Sequence, residues 1–177
     1  IKFLAEEKAA LRPLAWLCNL YVTVVRGIPV VVLLLIFYFV ILRSADGIVT
    51  GIVAFGINSG AYMAEIIRAG IESVDKGQME AARSLGLPYW KAMAKVVLPQ
   101  AIRTMIPSII NQFIITLKDT SILSVIGFPE LTNTTKTVVA NTMNTQGWAI
   151  AGVMYMVVIL LLSYLSHRVE GRLSNGR

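Results

Sequence analysis

The chain has 177 residues, of which 56% are hydrophobic and 15% charged, with a mean hydropathy of +0.70. A soluble domain of this length needs more polar surface than this composition supplies, so the composition excludes one and predicts a protein embedded in a lipid bilayer. The formal net charge of +6 is typical of membrane proteins with Lys and Arg in cytoplasmic loops, and we expect no nucleic-acid partner.

Apolar segments predict four membrane spans, judged against the roughly 20 apolar residues that cross about 30 Å of hydrocarbon. The first becomes long enough if the flanking Arg26 and Arg43 extend outward to the interfaces. The third is short, because Lys118 and Asp119 follow it. Either the helix ends there near a water-filled cavity, or that charged pair lies inside the membrane. The four apolar segments are residues 28–42, 48–67, 104–117 and 147–166.

The distribution of Lys and Arg predicts which segments face the cytoplasm. With the amino-terminal stretch placed inside the cell, all of the 16 basic residues except Arg43, Lys118 and Lys136 fall on cytoplasmic segments. Such an asymmetry identifies cytoplasmic loops. The prediction is one transmembrane domain, 1–177, divided into a cytoplasmic segment 1–27, two spans 28–70, a cytoplasmic loop 71–98, a third span 99–118, an extracytoplasmic connection 119–146, a fourth span 147–167 and a cytoplasmic tail 168–177.

The cytoplasmic loop carries the signals of a short capped helix. Asp75 and Gln78 have the form of a capping box, Gly86 suits the left-handed conformation that ends a helix, and Pro88 follows. These signals predict a helix over 76–85. Because so short a helix is marginal in water, we expect tertiary contacts to hold it. The face available for these contacts carries Gln78, Ala81, Ala82 and Leu85.

A second short helix is predicted from Pro88 to about Lys95, before Pro99 begins the third span. Its apolar side chains would pack under the membrane; they are Trp90, Met93 and Val97. The two helices together would form a rigid hook. The alternative is a basic amphipathic segment lying on lipid headgroups.

The same loop resembles the EAA signature of ABC importer permeases. It has Glu-Ala-Ala at 80–82, Gly86, and Val-Val-Leu-Pro at 96–99, where the family has Ile at the position of Val96. Further blocks resemble the polar amino-acid branch of that family and cover most of residues 12–135 in the expected order. They are RGIP at 26–29, NSGAYMAE at 58–65, KGQ at 76–78, LPQA at 98–101 and LKDTSILSVIGFPEL at 117–131.

The resemblance implies an all-α membrane protein, a polytopic helical bundle of the ABC importer permease type, with four spans here and a fifth ahead of Ile1. It implies a permease subunit of an ATP-driven amino-acid importer in the bacterial cytoplasmic membrane. The partners would be ATP-binding cassette subunits, a second permease subunit, identical or homologous, and an extracytoplasmic amino-acid-binding protein. The residues coupling the permease to the ATP-binding subunit would be Glu80, Ala81, Ala82, Arg83 and Gly86.

The sequence contains no G-x-x-x-x-G-K-[ST] phosphate-binding motif. We therefore expect no enzymatic activity and no cofactor in this chain, with ATP and Mg bound by the partner subunit. In the coupling segment, Glu80 is predicted to be a polar anchor, Arg83 a secondary contact and Gly86 the bend. The alternative for each of these positions is ordinary helix surface.

A polar stripe on the second span suggests a translocation path. Asn58, Tyr62 and Glu65 follow one another at i, i+4 and i+7, and a polar stripe in a membrane faces a cavity or a partner helix. Alternatively, Glu65 pairs with Arg68, and Lys118 with its neighbour caps the third helix. The predicted path residues are Asn58, Tyr62, Glu65, Lys118 and Asp119.

Two other functions stay open at this point. An ATP-independent channel or ion-coupled amino-acid carrier explains the polar stripe and the charged pair, but leaves the capped hook without a role. A structural assembly subunit has no transport path at all. Co-purification with an ATP-binding protein that depends on Glu80 and Gly86 separates the importer from both.

Overall fold

The computed structural model describes residues 12–174, which form helices and short connections between them. The predicted all-helical fold is confirmed. In chain order the helices are α1 (Arg12–Gly27), α2 (Val30–Ile36), α3 (Gly47–Glu72), α4 (Lys76–Ser84), α5 (Tyr89–Ala92), α6 (Leu98–Asp119), α7 (Leu131–Thr142) and α8 (Gln146–Ser174). π-helical turns at Phe37–Ile41 and Met93–Val97 and a 3₁₀ turn at Thr120–Ile126 extend or join them.

The chain divides into two compact units, Ile1–Ala64 and Glu65–Arg177. In the first unit, α1 and the helical segment Val30–Ile41 meet at a bend of 105°. Pro29 lies at this break, and its ring and missing N–H prevent α1 from continuing.

The core of the first unit forms where α1 and α2 meet α3. Val25, Leu33 and Ala61 are buried there. The Tyr21 hydroxyl donates a hydrogen bond of 2.6 Å to the carbonyl of Ile57, which satisfies a polar group in an apolar setting. Partly buried hydrophobic residues complete the cluster: Ile28, Phe37 and Ile57.

Among the described residues, three helices are long and apolar enough to cross a membrane: Gly47–Glu72, Tyr89–Ile126 and Gln146–Arg168. A fourth span exists only if the bent pair at the start counts as one. The predicted first span, 28–42, corresponds to only the second helix of that bent pair. The first helix of the pair is α1, which the sequence placed in the cytoplasmic segment 1–27. The two helices do not form one straight span because Pro29 lies at the break between them. The predicted span ahead of Ile1 lies outside the described residues.

The second unit contains one long helical run, the 38 residues Tyr89–Ile126. As predicted, the α-helix of the third span begins at this proline, because α6 starts at Leu98 with Pro99 in its first turn. The π turn Met93–Val97 joins α6 to α5 without a break, so the two helices belong to the same run. A π turn precedes Pro99, and the shifted hydrogen bonding of such a turn accommodates a residue without an N–H. The second short helix of the predicted hook, α5, and the span are therefore one piece of helix.

Close packing fixes the end of α3 against this run. A Cβ at Gly70 would lie 2.1 Å from Met105 Cγ and 3.5 Å from the carbonyl oxygen of Ala101, so the missing side chain of glycine makes the approach possible. Beyond the run, α7 and α6 both pack on α8. The predicted extracytoplasmic connection 119–146 thus contains an ordered helix, α7.

Candidate functional site

The amino end of α4 is capped by Asp75, as predicted. Its carboxylate accepts a hydrogen bond of 2.6 Å from the amide of Gly77. The second half of the predicted capping box does not form as expected, since the Oε1 of Gln78 accepts a hydrogen bond of 3.3 Å from Nε2 of Gln100 instead. Gln78 thereby joins α4 to α6 rather than closing its own helix.

The carboxyl end of α4 is fixed by Gly86. Its φ of 86° lies in the left-handed region, which glycine adopts without a Cβ penalty. The amide of Leu87 donates to the carbonyl of Ala82 at 3.2 Å, and the amide of Gly86 donates to that of Arg83 at 2.9 Å. This pair of bonds is a Schellman motif, so the predicted helix end is confirmed.

We call α4 and α5, residues 76–92, the hook. Within it the predicted packing face of α4 is only partly correct. Ala82 is 5% exposed and holds α4 against the rest of the second unit, whereas Leu85 is 85% exposed. Trp90 on α5 is also largely exposed, at 63%. The hook therefore presents large apolar side chains outward.

The predicted coupling residues do not all face the same way. Glu80, Ala81, Arg83 and Gly86 are exposed on the hook surface. Ala82 alone is buried, so its methyl group supports the position of α4 and is not part of the outer surface. The physical reason is helical geometry, which turns adjacent alanines about 100° apart.

The first two residues of the predicted stripe lie in the first unit. Asn58 is 6% exposed, as expected for a polar residue that a membrane helix turns inward. The guanidinium of Arg26 lies over the ring of Tyr62, with its carbon 5.1 Å from the ring centroid. This cation–π contact gives Tyr62 a protein partner at the end of α1.

The remaining predicted path residues lie in the second unit. Glu65 pairs with Arg68, which also binds the carboxylate of Glu72 at 2.7 Å. The alternative interpretation of Glu65 as an ion-pair partner thus describes this structure, while its role toward substrate stays a prediction. Lys118 is exposed and Asp119 half-buried at the end of α6, where the helix tightens into the 3₁₀ turn.

A cavity of about 300 Å³ opens between α6 and α8. Hydroxyl, amide and imidazole side chains from both helices converge on it. The sequence did not predict this cavity. The lining residues are Pro107, Ser108, Asn111, Ile114, Ser163, Ser166 and His167.

Residues 4–175 match the family described as binding-protein-dependent transport system inner membrane component. The chain belongs to this family. It is 39% identical to the arginine transport system permease protein of Bacillus subtilis (strain 168), covering 93% of this chain and 78% of that protein. It is 37% identical to the glutamine transport system permease protein of Escherichia coli (strain K12), covering 89% and 77%. The resemblance to ABC importer permeases is confirmed.

Solved structures agree with the family membership. The permease matches a chain in the crystal structure of an amino acid ABC transporter with histidines, with a TM-score of 0.88 and 40% identity over 92% of this chain and 78% of that one. A chain of an inward-facing methionine ABC transporter has a TM-score of 0.77 at 19% identity, which shows the same fold. The predicted fold class, that of an importer permease, is therefore confirmed.

The structure contains a polar cluster around Glu130 that the sequence did not predict. The carboxylate of Glu130 caps α7, accepting from the amides of Thr132 at 2.8 Å and Asn133 at 2.5 Å. The hydroxyl of Tyr155 on α8 donates to the same carboxylate at 3.1 Å. Glu is not one of the residue types that typically cap a helix, and the partner of Glu130, Tyr155, lies 25 residues away in the chain. The sequence therefore offered no clear signal for this cluster.

Proposed function

We propose that this permease is the membrane subunit of an ATP-driven importer of a polar amino acid. The names of its relatives, arginine and glutamine permeases, support the substrate class. The cytoplasmic membrane of a bacterium is the proposed location. Separate ATP-binding cassette subunits would bind ATP and Mg, a second permease subunit would complete the path, and an extracytoplasmic binding protein would deliver the amino acid.

The observation that carries the coupling role is the architecture of the hook. Both ends of α4 are fixed by hydrogen bonds, so α4 resists local unfolding and can move as a rigid body. Its outer surface combines exposed Leu85 and Trp90 with the charged Glu80 and Arg83. Exposed apolar groups rimmed by polar residues are typical of a protein–protein contact.

The continuous helix supplies the route for force. Since Tyr89–Ile126 is one run, a displacement of the hook by a closing ATP-binding pair is passed directly into the span α6. Rigid-body movement of packed elements between two arrangements is the usual basis of such transitions. The α-helix α6 ends with Lys118 and Asp119. With Asn58, Tyr62 and Glu65, these residues are our proposed contacts with substrate.

The decisive experiment removes the carboxylate of Glu80. The permease is co-expressed with its ATP-binding subunit and binding protein, purified and reconstituted in liposomes. In Glu80→Ala we expect at least about a tenfold weaker association with the ATP-binding subunit, since a hydrogen bond to a charged group contributes about 1.5–3 kcal/mol. Uptake driven by ATP on the side that carries the ATP-binding subunit should fall in parallel.

Glu72→Ala is the matched control. Glu72 is also an exposed carboxylate, but it lies on the last turn of α3, outside the hook, and its partner Arg68 keeps the second pairing with Glu65. Equal loss in both variants would contradict a specific contact at Glu80. Amino-acid uptake by the permease with no ATP on either side of the liposome membrane would instead establish an ion-coupled carrier or channel.

A further inference from the structure

The cavity between α6 and α8 is unusual because both of its walls belong to helices long and apolar enough to cross a membrane. Ser163, Ser166 and His167 follow one another at i, i+3 and i+4, so they share one face of α8. Ser108 and Asn111, three residues apart, share one face of α6 in the same way. Two polar faces therefore meet across one space.

The opposite face of α8 is apolar. Leu161 and Leu165 on that face are 61% and 58% exposed. Polar side chains in a membrane helix face a water-filled cavity or a partner, because exposure to hydrocarbon is costly. The apolar face of α8 is therefore expected to contact lipid or another protein, and the polar face to line a hydrated space.

The lining chemistry restricts what fits. Hydroxyl, amide and imidazole groups donate hydrogen bonds, while the lining residues that the structure describes include no Asp or Glu. A carboxylate or a neutral polar group finds donors here, but an ammonium group finds no opposite charge. The volume of about 300 Å³ lies at the lower end of the range of small-molecule sites, about 300–1,000 Å³.

We propose that this cavity is a hydrated subsite on the cytoplasmic half of the translocation path, which takes the carboxylate or neutral polar end of the transported amino acid. The location follows from His167, which directly precedes Arg168 at the end of the last span, the end that the distribution of Lys and Arg predicts to be cytoplasmic. The proposal rests on the importer function above and adds a binding position within a single permease subunit.

Single cysteines on α8 test the hydration of the cavity. Cys18 is the only cysteine of the chain, so Cys18→Ala gives a cysteine-free background. Ser163→Cys is compared with Leu161→Cys and Leu165→Cys, which bracket it by about 3 Å along the helix axis on the apolar face. In the complete reconstituted complex, we expect a water-soluble maleimide to modify Ser163→Cys at least about tenfold faster, because only a hydrated thiol ionises.

Protection by ligand tests binding. L-glutamine or L-arginine at saturating concentration on the cytoplasmic side should slow modification of Ser163→Cys at least about fivefold. Putrescine, which has two ammonium groups and no carboxylate, should not. If Ser163→Cys fails to assemble, Ser108→Cys on the opposite wall serves for the same measurement.

Three results would overturn the proposal. They are modification of Ser163→Cys no faster than that of the two leucine positions, fast modification that neither amino acid slows, and protection by putrescine as strong as by the amino acids. ATP-dependent uptake by the cysteine-free complex is measured alongside. If uptake proceeds while the labelling result is negative, only the subsite fails; if uptake itself fails, the importer function is what has been contradicted.

Discussion

Glu130 shows how single residues hold this permease together near the end of a span. Its carboxylate accepts two backbone amides of α7 and the hydroxyl of Tyr155, which also lies 3.2 Å from Oγ1 of Thr132. A partly buried carboxylate without donors would be costly. Because Tyr155 belongs to α8, its hydroxyl ties the start of α7 to the last span.

Removal of that hydroxyl gives a residue-scale prediction. Tyr155→Phe keeps the ring and loses the hydroxyl that bonds to Glu130 and Thr132, at about 1 kcal/mol for each bond. We expect the first amides of α7 to exchange hydrogen about fivefold faster in the purified complex, measured by mass spectrometry. Tyr164→Phe, on the same helix but bound to Arg168, should leave α7 unchanged. Equal exchange of α7 in both variants would show that Tyr155 does not hold it.

At the scale of elements, α4 depends on backbone conformation at one position. Gly86 and Gly152 both have open space where a Cβ would stand, but only Gly86 has a positive φ. An alanine at either position would meet no neighbouring atom, so a difference between the two alanine variants reports backbone strain at Gly86 and not steric crowding. The fixed end of α4 is what makes the hook a defined element rather than a variable loop.

The element-scale prediction uses this pair. Gly86→Ala should cost about 1–2 kcal/mol through left-handed strain, whereas Gly152→Ala in the interior of α8 should be neutral or stabilise by up to about 1 kcal/mol. Hydrogen exchange at Gly86 and Leu87 reports the loss of the Schellman bonds. Gly86→Asn should recover part of the cost, because Asn tolerates this conformation. A common effect of both alanine variants would argue against strain as the cause.

At the scale of the whole molecule, the run Tyr89–Ile126 sets the topology. Its 38 residues measure roughly 57 Å at 1.5 Å per residue, well beyond the roughly 30 Å of hydrocarbon. Because the run is longer than the hydrocarbon is thick, its first turns at the hook can extend into the cytoplasm. The hook and α7 are therefore expected on opposite sides of the membrane.

Exposed lysines at either end of the run test this topology. Lys91 lies on α5 and Lys136 on α7, and both are exposed. In the cysteine-free background, Lys91→Cys should react with an impermeant maleimide only in inside-out vesicles, and Lys136→Cys only in right-side-out vesicles. Reaction of both from the same side would contradict the crossing and with it the cytoplasmic position of the hook.

The sequence predicted the features that depend on local chemistry. Composition predicts a membrane protein because hydrocarbon tolerates few charges. Asp75 and Gly86 predict the ends of α4, since a cap and a left-handed glycine act on backbone groups within a few residues. The EAA block led to the importer permease family, which the family match confirms.

Contacts between distant residues were decided only by the tertiary structure. Gln78 bonds to Gln100 rather than to its own helix, Ala82 is buried while Leu85 is exposed, and a π turn joins α5 to α6 in one helical run. The cavity between α6 and α8 and the bond between Tyr155 and Glu130 were likewise not predicted. Helical periodicity shows which residues share a face, but the packing of whole helices decides which face meets which partner.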